Sequence, residues 1–142
     1  MIAREQVTFT ALGARFFPSK VSAAYSKAHD PGVIGQLGRY RGQPVPYGVA
    51  SFDAPEEEKE KIVYLHRVVF PLLPALRAAG ADDFSLHITY KYENQCSIGF
   101  SKEEIRLIAE LDCDVPVDCW TDTEANQALV PTPMSVTRMA LR

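Results

Sequence analysis

His29, His66 and His87, together with Cys96, Cys113 and Cys119, are the side chains of this sequence best suited to chemistry, and their spacing limits what they can do. A zinc centre draws on closely spaced Cys and His pairs that converge on one point. Here the histidines fall on different segments and none stands at ligand spacing from a cysteine. An odd set of three cysteines without a Cys-x-x-Cys pair indicates neither a disulfide framework nor a zinc ribbon, so reduced thiols are expected and no metal or cofactor is assigned. Cys96 and Cys119 share the apolar phase of their segments and read as small core residues. His87 lies on the polar phase of residues 84–92, from which it could serve as a general base with Asp118 or Tyr90 nearby. No serine or cysteine is set beside it as a nucleophile, and a solvated strand histidine is the simpler reading.

Phosphate chemistry is the next possibility, because residues 31–44 place glycines at 32, 35, 38 and 42. A Walker-type loop needs Lys and Ser or Thr directly after its last glycine, and a dinucleotide fingerprint needs its glycines at the mouth of a helix. Neither condition is met: Arg39, Tyr40 and Arg41 precede Gly42, and a proline-bearing segment follows. The stretch is either a plain surface connection or a contact loop that meets a partner through Arg39, Tyr40 and Arg41.

Carboxylates are distributed unevenly. Glu103, Glu104, Glu110, Asp112, Asp114, Asp118, Asp122 and Glu124 crowd the last third of the chain with few cations among them. The cluster reads as a solvated helix face or as a surface whose negative field attracts a basic partner. Trp120 falls opposite the apolar phase of Val115, Val117 and Cys119, hence partly exposed beside Asp118, where it could anchor an interface. The candidate partner-binding residues are therefore Glu110, Asp112, Asp114, Asp118 and Trp120, with Arg39, Tyr40 and Arg41 on the glycine loop. No catalytic residue is assigned.

The elements that must position these residues follow from composition and periodicity. The chain has 142 residues, 46% of them hydrophobic and 23% charged, which is enough for one buried core. A net charge of −3 argues against a nucleic-acid partner. The apolar run at 68–75 is interrupted by prolines and too short to cross a bilayer, and the first residues lack a signal-peptide core. A cytoplasmic protein that binds neither nucleic acid nor membrane is expected.

Alternation predicts a first strand over 7–16, in which Gly13 marks either a bulge or the strand's end, and a short helix from Pro18 and Ser19 to Asp30. Residues 45–52 read as an edge strand, because Pro46 cannot donate to a ladder. A long helix is expected from Pro55 through an acidic first turn, broken near Phe70 by Pro71 and Pro74 and ended at Gly80. Residues 84–92 form the clearest strand, with Phe84, Leu86, Ile88, Tyr90 and Tyr92 inward, and Cys96 to Phe100 is expected to return as its hairpin partner. Ser101 and Glu104 form a capping box for a helix with Ile105, Ile108 and Leu111 as its buried stripe. A last strand covers 115–120. The predicted fold is α+β, a mostly antiparallel sheet with helices on one face in the order β-α-β-α-β-β-α-β, with residues 1–124 as one domain and 125–142 as a tail without periodicity.

The segment CSIGFSKEEIRLIAEL, residues 96–111, followed by VPVDC, residues 115–119, resembles the closing strand, helix and strand of a bacterial family of unknown function. Phe17-Pro18-Ser19 and Ala79-Gly80-Ala81 extend the resemblance loosely over residues 7–120. Members of that kind are similar in size and setting to immunity proteins that neutralise toxins of interbacterial competition. The resemblance implies a non-catalytic inhibitor that blocks a basic toxin or effector by direct contact. A small enzyme or ligand-binding domain using the His87 face is the alternative.

Overall fold

Val7, Phe9 and Ala11 alternate with Gln6, Thr8 and Thr10, and this alternation builds the central strand of a five-stranded mixed sheet. The structure, a computed structural model, describes residues 4–94 and 97–121. Its strands are β1 (Arg4–Gly13), β2 (Lys27–His29), β3 (Gly48–Asp53), β4 (Asp83–Tyr92) and β5 (Val117–Thr121), ordered β2-β3-β1-β4-β5. β1 pairs antiparallel with both β3 and β4, and β2 pairs antiparallel with β3. β5 runs parallel to β4. A parallel neighbour needs a crossover, which is supplied by the last of the helices α1 (Lys61–Val69), α2 (Leu73–Ala78) and α3 (Lys102–Leu111).

Hydrophobic burial holds the helices on one face. Val7, Phe9, Ala11, Ala50, Phe52, Phe84, Leu86 and Ile88 from the sheet meet Ile62, Leu65, Val69, Leu73, Leu76, Leu107 and Leu111 from the helices in one cluster. Phe9 stacks on Phe84 at 5.8 Å and meets Phe52 at 6.4 Å between ring centres. The opposite face carries Thr8, Thr10, Ser51, Ser85, His87 and Thr89, which are half-buried. Pro71 and Pro74, unable to donate backbone bonds, split the helical run through a 3-10 turn at Phe70–Leu72, so the restart falls where the prolines put it. Gly80 closes α2 at φ +112°, with Ala81 N–H donating to Leu76 O and Gly80 N–H to Arg77 O, both at 3.0 Å.

The capping box forms as its spacing requires. Glu104 N–H donates to Ser101 Oγ at 3.1 Å, and Ser101 N–H donates to the Glu104 carboxylate at 2.8 Å. Ser101→Ala should lower stability by ~1 kcal/mol, while Ser101→Asp should keep it close to that of the parent. Urea unfolding of the three proteins measures the difference.

Several expected elements are corrected. Residues 18–30 are not a helix: only Pro18–Lys20 makes a 3-10 turn, and the chain then extends into β2. Ser19 donates through both its hydroxyl and its N–H to the Asp30 carboxylate, at 2.6 and 3.1 Å, and Tyr25 packs on Phe52 at 5.2 Å. These longer-range contacts outweigh a short run of helical periodicity. The Ser19 hydrogen bonds also hold the Asp30 carboxyl below its usual range. β3 is not an edge strand but lies between β2 and β1, and it begins at Gly48, beyond Pro46.

The long helix starts at Lys61, not in the acidic turn. Lys61 is buried, and its ammonium donates to the carbonyls of Glu56 at 3.2 Å and Glu58 at 2.6 Å, so it holds residues 56–58 in a turn. Residues 97–100 form no strand, because β4 already has β1 on one side and β5 on the other. Cys96 lies outside the described residues. In α3 the buried positions are Leu107 and Leu111; Ile105 is exposed and Ile108 half-buried, so the expected stripe was turned around the helix. Cys119 is exposed, since the apolar phase of an outer strand has less helix above it. The expected domain boundary at 124, the tail at 125–142, Asp122 and Glu124 lie outside the described residues. Among the described residues no helix is long and apolar enough to cross a membrane.

Candidate functional site

Two turns at one end of the sheet create a concavity lined mostly by acidic side chains. Gly80 releases the chain from α2 into β4, and Asp112, left-handed at φ 55°, ends α3. Asp114 N–H donates to Phe84 O at 3.1 Å and Leu86 N–H donates to Asp114 O at 2.8 Å, which sews the second turn to the start of β4. Between the turns lies a cleft of about 440 Å3 lined by Arg77, Asp82, Asp83, Phe84, Asp112, Cys113 and Asp114. Its four carboxylates are exposed. They face one guanidinium, that of Arg77, which pairs with Asp112 at 3.2 Å and lies over the Phe84 ring at 5.2 Å. Burial, then the charges of Asp114 and Asp112, push the Cys113 thiol up to about 11, which disfavours the thiolate at neutral pH.

The second arrangement is on the face of the sheet opposite the helices. His87 Nε2 and Asp118 Oδ2 are 2.7 Å apart, with side chains 41% and 14% exposed. Thr8 Oγ1 donates to Asp53 at 2.8 Å, and the Thr10 and Ser51 hydroxyls meet at 3.4 Å. Thr8 is the cross-strand partner of His87, so hydroxyls and an imidazole–carboxylate pair share one surface. Trp120 stands opposite Lys91 on the same face, half-buried. A His–Asp pair of this geometry can take or deliver a proton, or orient a polar ligand.

The remaining predicted residues lie elsewhere. Glu110 is on the solvent side of α3, where its carboxylate meets His66 Nε2 at 2.7 Å and accepts from Arg106 at 2.9 Å. His66 stacks on Phe70 at 4.8 Å, and Arg106 also donates to Glu103 at 2.6 Å. The Arg106 hydrogen bond holds the Glu103 carboxyl below its usual range. Arg39, Tyr40 and Arg41 lie on the glycine segment, an arm whose backbone is hydrogen-bonded to itself. Val45 N–H donates to Val33 O at 2.8 Å, Gly35 N–H to Gln43 O and Gly42 N–H to Gly35 O, both at 2.9 Å. A 3-10 turn at Gly38–Tyr40 closes its tip. Tyr40 turns back toward Tyr47, 6.1 Å away edge-on, while Arg39 and Arg41 are exposed.

The eight candidate residues thus occupy four places. Asp112 and Asp114 share the cleft, Asp118 and Trp120 the sheet face opposite the helices, Glu110 the α3 surface, and Arg39, Tyr40 and Arg41 the arm. Arg77, Asp82, Asp83 and Phe84, which complete the cleft, are not among the residues that the sequence singles out. The Asp82-Asp83 pair directly after the Gly80 turn was the available signal, an exposed acidic step at the mouth of a strand. Among the described residues no group of three His, Cys, Asp or Glu side chains is arranged to hold a metal ion. No protein-family model, no curated protein and no solved structure matches the chain.

Proposed function

We propose that the protein is a non-catalytic binding protein, an immunity protein or inhibitor that neutralises a basic toxin or effector by direct contact through its acidic surface. The observation that carries this reading is the charge imbalance of the cleft, four exposed carboxylates against the single guanidinium of Arg77. Arg77 already rests there on a carboxylate and a phenyl ring, which is the environment a partner's arginine would use. Asp118 is engaged with His87 and Glu110 with His66 and Arg106, so Asp82, Asp83 and Asp114 are the better source of a steering field.

Charge reversal at Asp83 and Asp114 should slow association with the partner by about tenfold at low salt, with little change at high salt. The measurement is surface-based kinetics with a basic protein captured from the source cells. Capture of no basic partner, or association indifferent to these two side chains and to salt, would sink the reading.

The 2.7 Å contact between His87 and Asp118 favours a second reading, a small enzyme or ligand-binding domain that works on the face opposite the helices. His87→Gln would then abolish the activity or ligand binding while leaving partner capture intact.

A further inference from the structure

The glycine arm is the part of the molecule that the proposed function leaves unused. Its backbone pairing and the Tyr40–Tyr47 contact hold it as an ordered ribbon, in which Tyr40 turns back, the Arg39 guanidinium lies over the Tyr40 ring at 5.6 Å, and Leu37 is left in solvent. Leu37 at the tip is 83% exposed, Ile34 and Val33 are also in solvent, and Arg39 and Arg41 stand among them. No carboxylate occurs between Asp30 and Asp53, although the chain as a whole carries −3. The arm is therefore a cationic, aliphatic segment of a chain with net negative charge.

We propose that this arm docks the protein on an anionic lipid bilayer, with Leu37 entering the acyl boundary and Arg39 and Arg41 at the level of the phosphates. Exposed aliphatic side chains flanked by cations are what an interfacial segment needs. Arg39 and Arg41 complement the negative charge of the lipid surface, and no carboxylate between Asp30 and Asp53 opposes that attraction.

A protein groove is the less suitable occupant. Hot spots of protein interfaces favour tryptophan, tyrosine and arginine, with leucine and valine under-represented. The one aromatic of the tip, Tyr40, is turned back onto Tyr47. The expectation of no membrane partner rested on the lack of a spanning segment, and an arm that lies on a surface is a different mode of contact.

The test is co-sedimentation of the full chain with vesicles of phosphatidylglycerol and phosphatidylcholine in equal parts, against vesicles of phosphatidylcholine alone. The expected result is binding to the anionic vesicles only. Arg39→Gln with Arg41→Gln should weaken it by about thirtyfold, and Leu37→Ala by about tenfold. Salt near 1 M, where the Debye length is about 3 Å, should abolish it. Because these side chains are exposed, the variants should keep the parent's melting temperature, which shows that lost binding is not lost folding. No binding to anionic vesicles, equal binding to neutral ones, or variants that bind like the parent would overturn the proposal. Concentration-dependent self-association that the same substitutions remove, without vesicle binding, would also overturn it and assign the tip to a second copy of the chain.

Discussion

Ile88→Ala should lower the free energy of unfolding by ~2–5 kcal/mol, while Thr89→Ala, one residue along the same strand, should cost far less. Ile88 is fully buried in the core cluster, opposite Val7 on β1 and Val117 on β5. Its strand is tied on both sides, so neighbouring backbone is poorly placed to collapse into the space that truncation leaves. The loss then includes a cavity contribution beyond the hydrophobic transfer of the deleted carbons. Thr89 points to the half-buried face opposite the helices, where solvent can occupy the vacated volume. Urea unfolding monitored by circular dichroism distinguishes the two, provided the slope with denaturant is unchanged. Equal effects at the two positions would contradict the assignment of inner and outer faces.

Gly80→Ala is expected to cost on the order of 3 kcal/mol or more, for two reasons that add. At φ +112° any side chain is strained, and a Cβ there would run into the backbone carbonyl of Arg15, with Phe16 Cα 2.9 Å away. Backbone on that side cannot retreat easily, because Phe16 is fully buried and Phe17 N–H donates to Ala79 O at 3.0 Å. Gly38→Ala and Gly42→Ala provide the contrast. Both glycines have positive φ, at +71° and +75°, but nothing lies within 4 Å of the added carbon, so only the conformational cost of about 1 kcal/mol remains. Thermal denaturation of the three variants separates dihedral strain from collision. A Gly80→Ala protein no weaker than the arm variants would show that the corner around Phe16 is not tightly packed.

The features legible in the sequence were those decided within a few residues. The inward phase of Phe84, Leu86 and Ile88, the Ser101–Glu104 box, the proline-driven restart at Phe70 and the Gly80 terminus depend on local sterics and hydrogen bonds. Pairing between distant segments was not visible. Residues 21–30 could satisfy helical periodicity, yet Ser26 N–H and β2 find partners on β3, and the sheet wins. The expected hairpin after Tyr92 failed because nothing local reports that β4 is flanked by β1 and β5.

The candidate sites divide along the same line. His87 and Asp118 could be placed near each other because both occupy the polar phase of adjoining strands. The cleft could not be foreseen, since it joins Arg77, Asp82 and Asp83 to Asp112 and Asp114 through a crossover whose geometry appears only in the folded chain. Charge counting grouped Glu110 with Asp118, whereas the fold sends one to a helix surface and the other to the sheet face opposite the helices.

The central position of β1 bears on how the protein is made. β1 precedes both of its neighbours, β3 and β4, in the chain, and its register with β4 joins Arg4 to Lys91. Until the chain as far as β4 has emerged, Phe9 and Ala11 lack one of their two cross-strand partners and Val7 lacks its partner Ile88, and one edge of β1 is open to pairing with other chains. The interval of synthesis between the two strands is thus the period of greatest aggregation hazard, when a holdase chaperone would bind most productively.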